Sequence, residues 1–199
     1  YFLVSGDMSS PGDDGMIVVG LNGSRWALRR ESDVVNTSWY GAKADGSDDR
    51  GAIERAQAFA GPRGETVIFD GMHSHTRFLS DVGLFHSWEA GQSGGGLKAI
   101  TTPWQYTASA EPLILIPAGA YTRVRGLVFD QVWLINEHAH TGQYNDSKPA
   151  NEWGGYWYVQ ALDGCTYDWD GVHWVNPFRG LLAQRPERVD LGDMSADAI

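Results

Sequence analysis

The chain has 199 residues, 42% of them hydrophobic, which is enough for one domain with a real core and excludes disorder as the dominant state. Its formal net charge of −10 excludes a duplex nucleic-acid partner, whose grip rests on phosphate neutralisation by Lys and Arg. No apolar run approaches the roughly 18 residues of a membrane helix, and Cys165, the single cysteine, rules out an intrachain disulfide and reads as a small buried hydrophobe.

Residues 1–31 read as strands. Tyr1 to Val4 and Met16 to Val19 are apolar runs separated by a Ser/Pro/Gly/Asp loop. Asn22-Gly23 is a strong hairpin signal, after which Trp26 to Arg30 returns as a strand. The start at Tyr1, with neither Met nor a basic leader, predicts an internal piece of a longer polypeptide. Residues 32–38 read as a polar connector.

Residues 39–70 form a loop, a capped helix and a short buried strand. Ser47 or Asp48 is expected to cap the helix, with Asp48 and Asp49 on its positive end. Ile53, Ala56 and Ala60 recur at helical spacing beside Phe59, and Gly61-Pro62 stops the helix. Thr66 to Phe69 is the strand, and Asp70-Gly71 follows it.

Beyond residue 70 the pattern is strand and turn. Thr76 to Leu79, Val82 to Trp88, Leu113 to Ile116, Tyr156 to Gln160, Tyr167 to Val175 and Phe178 to Ala183 are predicted strands. Gly91 to Gly96 reads as a flexible turn, and without a following Lys-Ser/Thr it is no phosphate loop. Val124 to Gln131 aligns with Trp169 to Asn176, placing Gly126 on Gly171, Leu127 on Val172 and Phe129 on Trp174 at an offset of 45 residues. Such a repeat is solenoid behaviour, one layer with an insertion or two layers. Residues 136–155 are a long polar and aromatic insertion. The tail from Arg185 to Ile199 reads as polar and uncapped.

The segment from Tyr40 to Phe69 resembles the entrance of the pectate-lyase-like proteins, a group that includes many bacteriophage tailspikes. The shared features are Tyr40-Gly41-Ala42, Asp45-Gly46, Asp48-Asp49, Ala52-Ile53 and the strand Thr66 to Phe69. The chain departs from the pattern in a loop one residue shorter and in Asp70-Gly71 where Pro-x-Gly is usual. The resemblance implies a mostly β fold: a small N-terminal β unit, one entrance α-helix, then the first coils of a single-stranded right-handed parallel β-helix. It divides the chain into a head or neck segment, 1–38, and a β-helix body, 39–199. It implies a homotrimer on the phage virion tail, beside other virion tail proteins, that recognises a bacterial surface polysaccharide as host receptor and in many relatives depolymerises it. Three readings stay open: a tailspike depolymerase (glycoside hydrolase or polysaccharide lyase), a non-catalytic tail fibre, and a secreted lyase or pectinase. No membrane insertion, cofactor or metal is expected.

Cleavage of a glycoside needs paired carboxylates. Asp168 and Asp170, two apart on a strand, are the first candidates, although their parity with Val172 and Trp174 would point them inward unless a bend intervenes. Asp130, at a strand end, and Glu137, in the insertion, are the second. Trp153, Tyr144, His138 and His140 are candidate glycan contacts, since an aromatic face stacks on a sugar ring. The spacing of His138 and His140, like that of His73 and His75, is a weak metal signal. No nucleophile elbow or thiol dyad is visible.

Overall fold

The computed structural model describes residues 2–3, 12, 15–28, 30, 32–76, 78–79, 84–100, 114–130, 159–175 and 181–197. Among the described residues the fold is mostly β with one α-helix, and its larger sheets are parallel.

The first three strands, β1 (Phe2–Leu3), β2 (Ile17–Val19) and β3 (Arg25–Ala27), make a small antiparallel sheet. The expected Asn22-Gly23 turn joins β2 to β3, with Gly23 at φ 81°, a backbone region open to glycine. The stretch read as a polar connector is instead β4 (Val34–Asn36) and a 3-10 turn, Thr37–Tyr40. The strand forms because Val35 is fully buried and β4 pairs in parallel with β5 (Thr66–His75).

Helix α1 (Arg50–Ala60) buries Ile53, Ala56 and Ala60 as its pattern requires, and ends at Gly61-Pro62. Its N-cap position falls on Asp49, not on Ser47 or Asp48, and the Asp49 side chain makes no capping bond. Asp48 serves the first turn from one residue further out, accepting the Arg50 N–H at 3.0 Å. Asp49 is drawn inward instead. Its carboxylate accepts the Lys43 and Ala44 amides at 2.8 and 2.9 Å and lies 2.8 Å from His73 Nδ1. His73 Nε2 in turn lies 3.2 Å from Thr37 Oγ1, and all three side chains are buried.

The remaining strands are β6 (Phe78–Leu79), β7 (Phe85–Ala99), β8 (Ile114–Ile116), β9 (Tyr121–Arg125), β10 (Val128–Asp130), β11 (Val159–Ala161), β12 (Thr166–Asp170), β13 (Val172–Val175), β14 (Leu181–Ala183), β15 (Arg188–Leu191) and β16 (Met194–Asp197). They stack in three parallel ladders. One runs β4, β5, β7, β9, β12, β15, and a second runs β5, β7, β10, β13, β16. The third runs β6, β8, β11, β14. The ladders advance in step. Tyr121 pairs with Thr166, Val128 with His173 and Ile114 with Val159, each an offset of 45 residues. The internal alignment is therefore the physical register: Phe129 lies on Trp174 with ring centroids 4.7 Å apart. The pairing is direct, so the two copies lie one layer apart, with the extra length inside that layer.

Inward rows of side chains make the core. Val67, Trp88, Val124 and Trp169 are in register and buried, as are Leu97, Phe129 and Trp174. Burial of each large apolar side chain stabilises the fold by roughly 1.5–3 kcal/mol. Trp88 Nε1 donates to Gln57 Oε1 at 2.7 Å, and Gln57 Nε2 donates to the Phe85 carbonyl at 3.0 Å, so helix and sheet are also joined by polar contacts. Cys165 is buried and its thiol donates to the Pro117 carbonyl at 3.1 Å, with burial pushing the thiol pKa up.

Four expectations change. Strand β5 runs past Phe69 to His75, and the glycine run lies inside β7, not in a flexible turn. Close approach explains those glycines: a Cβ on Gly95 would sit 1.8 Å from the Phe69 carbonyl oxygen, and one on Gly96 2.2 Å from that of Val128. The span Tyr167 to Val175 is two strands, broken at Gly171 with φ 63°. The polar tail supplies two further strands, β15 and β16, where Leu191 continues the row of Trp169 and Ala196 that of Trp174.

Candidate functional site

The outward face of the first ladder carries a row in register: Asn36, Ile68, Glu89, Arg125 and Asp170. Just beyond Ile68 and Glu89 the ladder breaks. Phe69 pairs with Ala90, but the next pair is Gly71 with Gly95, so one residue of β5, Asp70, faces four of β7. The excursion, Gly91 to Gly94, needs Gly94 at φ 85° and Gly71 at φ 89°. The Asp70 carboxylate lies over Gly91, where a Cβ would sit 1.5 Å from Asp70 Oδ1 and push that side chain aside.

A cleft of about 530 Å³ opens at this break. Val34 and Ile68 line part of it, and Trp39, Asn36, Asp70, Glu89, Gln92 and Ser93 present the chemistry. The size is that of small-molecule sites in general. Trp39 is half-buried on the 3-10 turn and packs against the core, which fixes its ring. Asn36 starts that turn, its Oδ1 accepting the Ser38 N–H at 2.9 Å, while its Nδ2 donates to Asp70 Oδ2. One amide thus positions both the aromatic wall and one carboxylate. Glu89 is exposed, and its side chain makes no hydrogen bond or ion pair with the described residues. Two carboxylates in one cleft, one fixed and one free to swing, beside an aromatic face and amide and hydroxyl groups, can bind a polyhydroxylated ring and exchange protons with it.

None of the candidate site residues singled out from sequence that are described, Asp130, Asp168 and Asp170, lines this cleft. Asp168 and Asp170 both face outward while Tyr167 and Trp169 are buried. The bend at Gly171 reverses the parity, so the inward orientation that Val172 and Trp174 implied is corrected. Asp168 Oδ1 meets Arg125 Nη2 at 2.6 Å, and its Oδ2 accepts the Tyr121 hydroxyl at 3.1 Å. The hydrogen bond from Arg125 holds its carboxyl below the usual range. Asp170 is exposed and its Oδ1 accepts the Asp193 N–H at 3.0 Å, a bond that holds the next layer's turn. Asp130 is mostly buried and lies 3.4 Å from Lys98 Nζ. Glu137, His138, His140, Tyr144 and Trp153 lie outside the described residues.

Two other polar clusters have a catalytic look. The buried Asp49, His73 and Thr37 chain is closed to solvent, and Thr37 Oγ1 donates to the Ile68 carbonyl at 3.3 Å. On the outer face of β13 and β16, His173 Nδ1 lies 2.7 Å from Ser195 Oγ and Nε2 lies 3.3 Å from Asp197 Oδ2. That group is not among the residues lining the cleft, and its Asp197 side chain is 73% exposed.

Sequence reasoning missed Trp39, Asn36, Asp70 and Glu89. A signal was present for Asp70: Asp70-Gly71 stands where the resembling proteins carry Pro-x-Gly, and a charged residue before a glycine at a strand's midpoint marks a bulge. Glu89, just before the glycine run, carried no comparable signal.

No protein-family description matches the chain, and no curated protein matches it. Among solved structures, the chain is similar to a candidate glycosyl hydrolase from Parabacteroides merdae, with a TM-score of 0.57 and 15% identity over 82% of this chain and 74% of that one. The two share a fold. The tailspike protein of Acinetobacter baumannii phage AM24 also aligns, with a TM-score of 0.41 and 15% identity, over 96% of this chain and 36% of that one.

Proposed function

We propose that this chain binds a polysaccharide in the Trp39 cleft and cuts it there by acid–base chemistry. The observation that carries the reading is the meeting of Trp39, Asp70 and Glu89 in one cleft at a ladder break. The Trp39 ring stacks on the apolar face of a sugar. Asn36, Gln92 and Ser93 bond its hydroxyls. Glu89, free of other partners among the described residues, reaches the glycosidic oxygen and gives it a proton. Asp70, held by Asn36, either activates water or attacks the anomeric carbon. The fold-sharing neighbour is itself named a candidate glycosyl hydrolase, which agrees with this reading.

The finer assignment follows the sequence resemblance. The three ladders are the first coils of a right-handed parallel β-helix of the pectate-lyase-like type. The protein is a bacteriophage tailspike, a homotrimer on the virion tail that recognises and depolymerises a bacterial surface polysaccharide. The motif residues from Tyr40 to Phe69 support this, as do ladders that advance by equal offsets.

The test is depolymerisation of purified bacterial surface polysaccharides, followed as a fall in chain length. Wild type shortens its glycan, and Asp70→Asn and Glu89→Gln each lose activity while keeping their melting temperature. Equal activity in both variants overturns the site assignment.

A further inference from the structure

Resting on the glycan reading of the cleft, we infer that its substrate is an uncharged polysaccharide segment, cut by hydrolysis and not by β-elimination. The charges of the cleft carry the inference. Among the described residues its lining includes two acidic side chains, Asp70 and Glu89, and neither a Lys nor an Arg. The cation nearest in register, Arg125, pairs directly across the ladder from Glu89. Its guanidinium is turned the other way: Nη1 donates to the Asp168 carbonyl at 2.7 Å and Nη2 to the Asp168 carboxylate at 2.6 Å. Lys98 is likewise engaged, 3.4 Å from Asp130. The chain as a whole carries a net charge of −10.

A uronate or other acidic sugar in this cleft would meet like charge without a compensating side chain among the described residues. Repulsion at a few ångströms lowers affinity by about tenfold or more at low salt. The polar groups that remain, the amides of Asn36 and Gln92 and the Ser93 hydroxyl, suit sugar hydroxyls. The reaction type follows from the substrate. β-Elimination breaks the C5–H bond next to a uronate carboxyl, forms a C4=C5 double bond and expels the C4 oxygen, which leaves with a proton. The charge that builds on the uronate must be neutralised. An uncharged sugar has no carboxyl beside C5, so that route is closed. Hydrolysis instead breaks the C1–O bond, adds water across it, and uses the two carboxylates for one proton given and one taken.

The experiment uses the full chain and a panel of bacterial capsular and O-antigen polysaccharides. Each acidic member is also supplied in carboxyl-reduced form, in which uronates have become neutral sugars. Binding is read by affinity electrophoresis at low and high salt, with and without added calcium. Cleavage is read both as new reducing ends and as the ultraviolet absorbance of unsaturated uronates. The expected result is binding of neutral or carboxyl-reduced polymers at least tenfold tighter than native acidic ones, with reducing ends and no ultraviolet product. Asp70→Asn should narrow that preference by about tenfold, a change in binding that is independent of turnover. Preferred binding of native acidic polymers that Trp39→Ala weakens would keep the cleft and overturn the uncharged substrate. Ultraviolet product in calcium or in chelator would overturn hydrolysis. Binding of every polymer unaffected by Trp39→Ala, or no binding at all, would overturn the cleft reading and this inference with it.

Discussion

Asp49 and Asp70 stand at the two ends of one construction and do opposite things. Asp49 is buried, and its oxygens meet two backbone amides and His73. It ties the entrance loop, the start of α1 and the strand β5 into one unit. Asp70 stands 21 residues later at the ladder break, exposed, with Asn36 as its side-chain donor and Glu89 lining the same cleft. A buried acid must be fully satisfied to be tolerated, so its chemistry is spent on structure. An acid at an open break keeps lone pairs for a ligand. Activity and stability should therefore separate cleanly between the two regions.

The largest expected effect is on the cleft side. Glu89→Gln should slow depolymerisation by about 100- to 10,000-fold, the range of a lost general acid, with an unchanged melting curve. The mirror experiment is Asp49→Ala, which strands two backbone donors and an imidazole in the core. We expect a loss of about 3–5 kcal/mol in denaturant titrations. A stability loss no larger than that of a surface substitution would break the contrast.

Acid should sharpen it further. Burial pushes the His75 imidazole down to about 4, against smaller opposing pulls from the Thr76 carbonyl and Asp48. Between pH 6.5 and 4 the unfolded chain takes a proton that folded His75 refuses. Its contribution is therefore complete above pH 6.5 and is lost as pH falls toward 4, by about 3 kcal/mol in all. Replacing His75 by Asn should flatten that part of the stability–pH curve. An unchanged slope would place the acid sensitivity elsewhere.

Smaller effects remain. Trp39→Ala should weaken glycan binding about tenfold, the worth of one stacked ring, measured by titration with oligosaccharide. Arg125→Met frees Asp168 from a partly exposed ion pair, and should cost less than about 1 kcal/mol with cleavage rate unchanged. A large loss of activity there would move the site from the break to the Arg125 and Asp168 face.

Much of the architecture was legible in the chain. Inward rows show as period-two apolar alternation, and the alignment of Gly126 with Gly171 is the actual register. The helix showed itself through Ile53, Ala56 and Ala60. Legibility ended where the backbone changes phase. At Gly171 a positive φ reverses which side chains face in, the bend on which the orientation of Asp168 and Asp170 depended. At Asp70 a bulge sets one residue against four, a pairing that no local pattern encodes. The glycines from 91 to 96 look like a turn because sequence cannot show the Phe69 and Val128 carbonyls pressed against them. The candidate site was missed for the same reason: Trp39, Asp70 and Glu89 lie on three segments that only the ladder break brings together.

The central claim is that the glycan sits at this break. Hydroxyl-radical footprinting with and without a bound oligosaccharide tests it most directly, because it reports side-chain cover residue by residue. Protection of Trp39 and of the segment from Glu89 to Ser93 is expected, with Tyr121 and Asp168 unchanged. Protection of Tyr121 and Asp168 with Trp39 left open would contradict that claim.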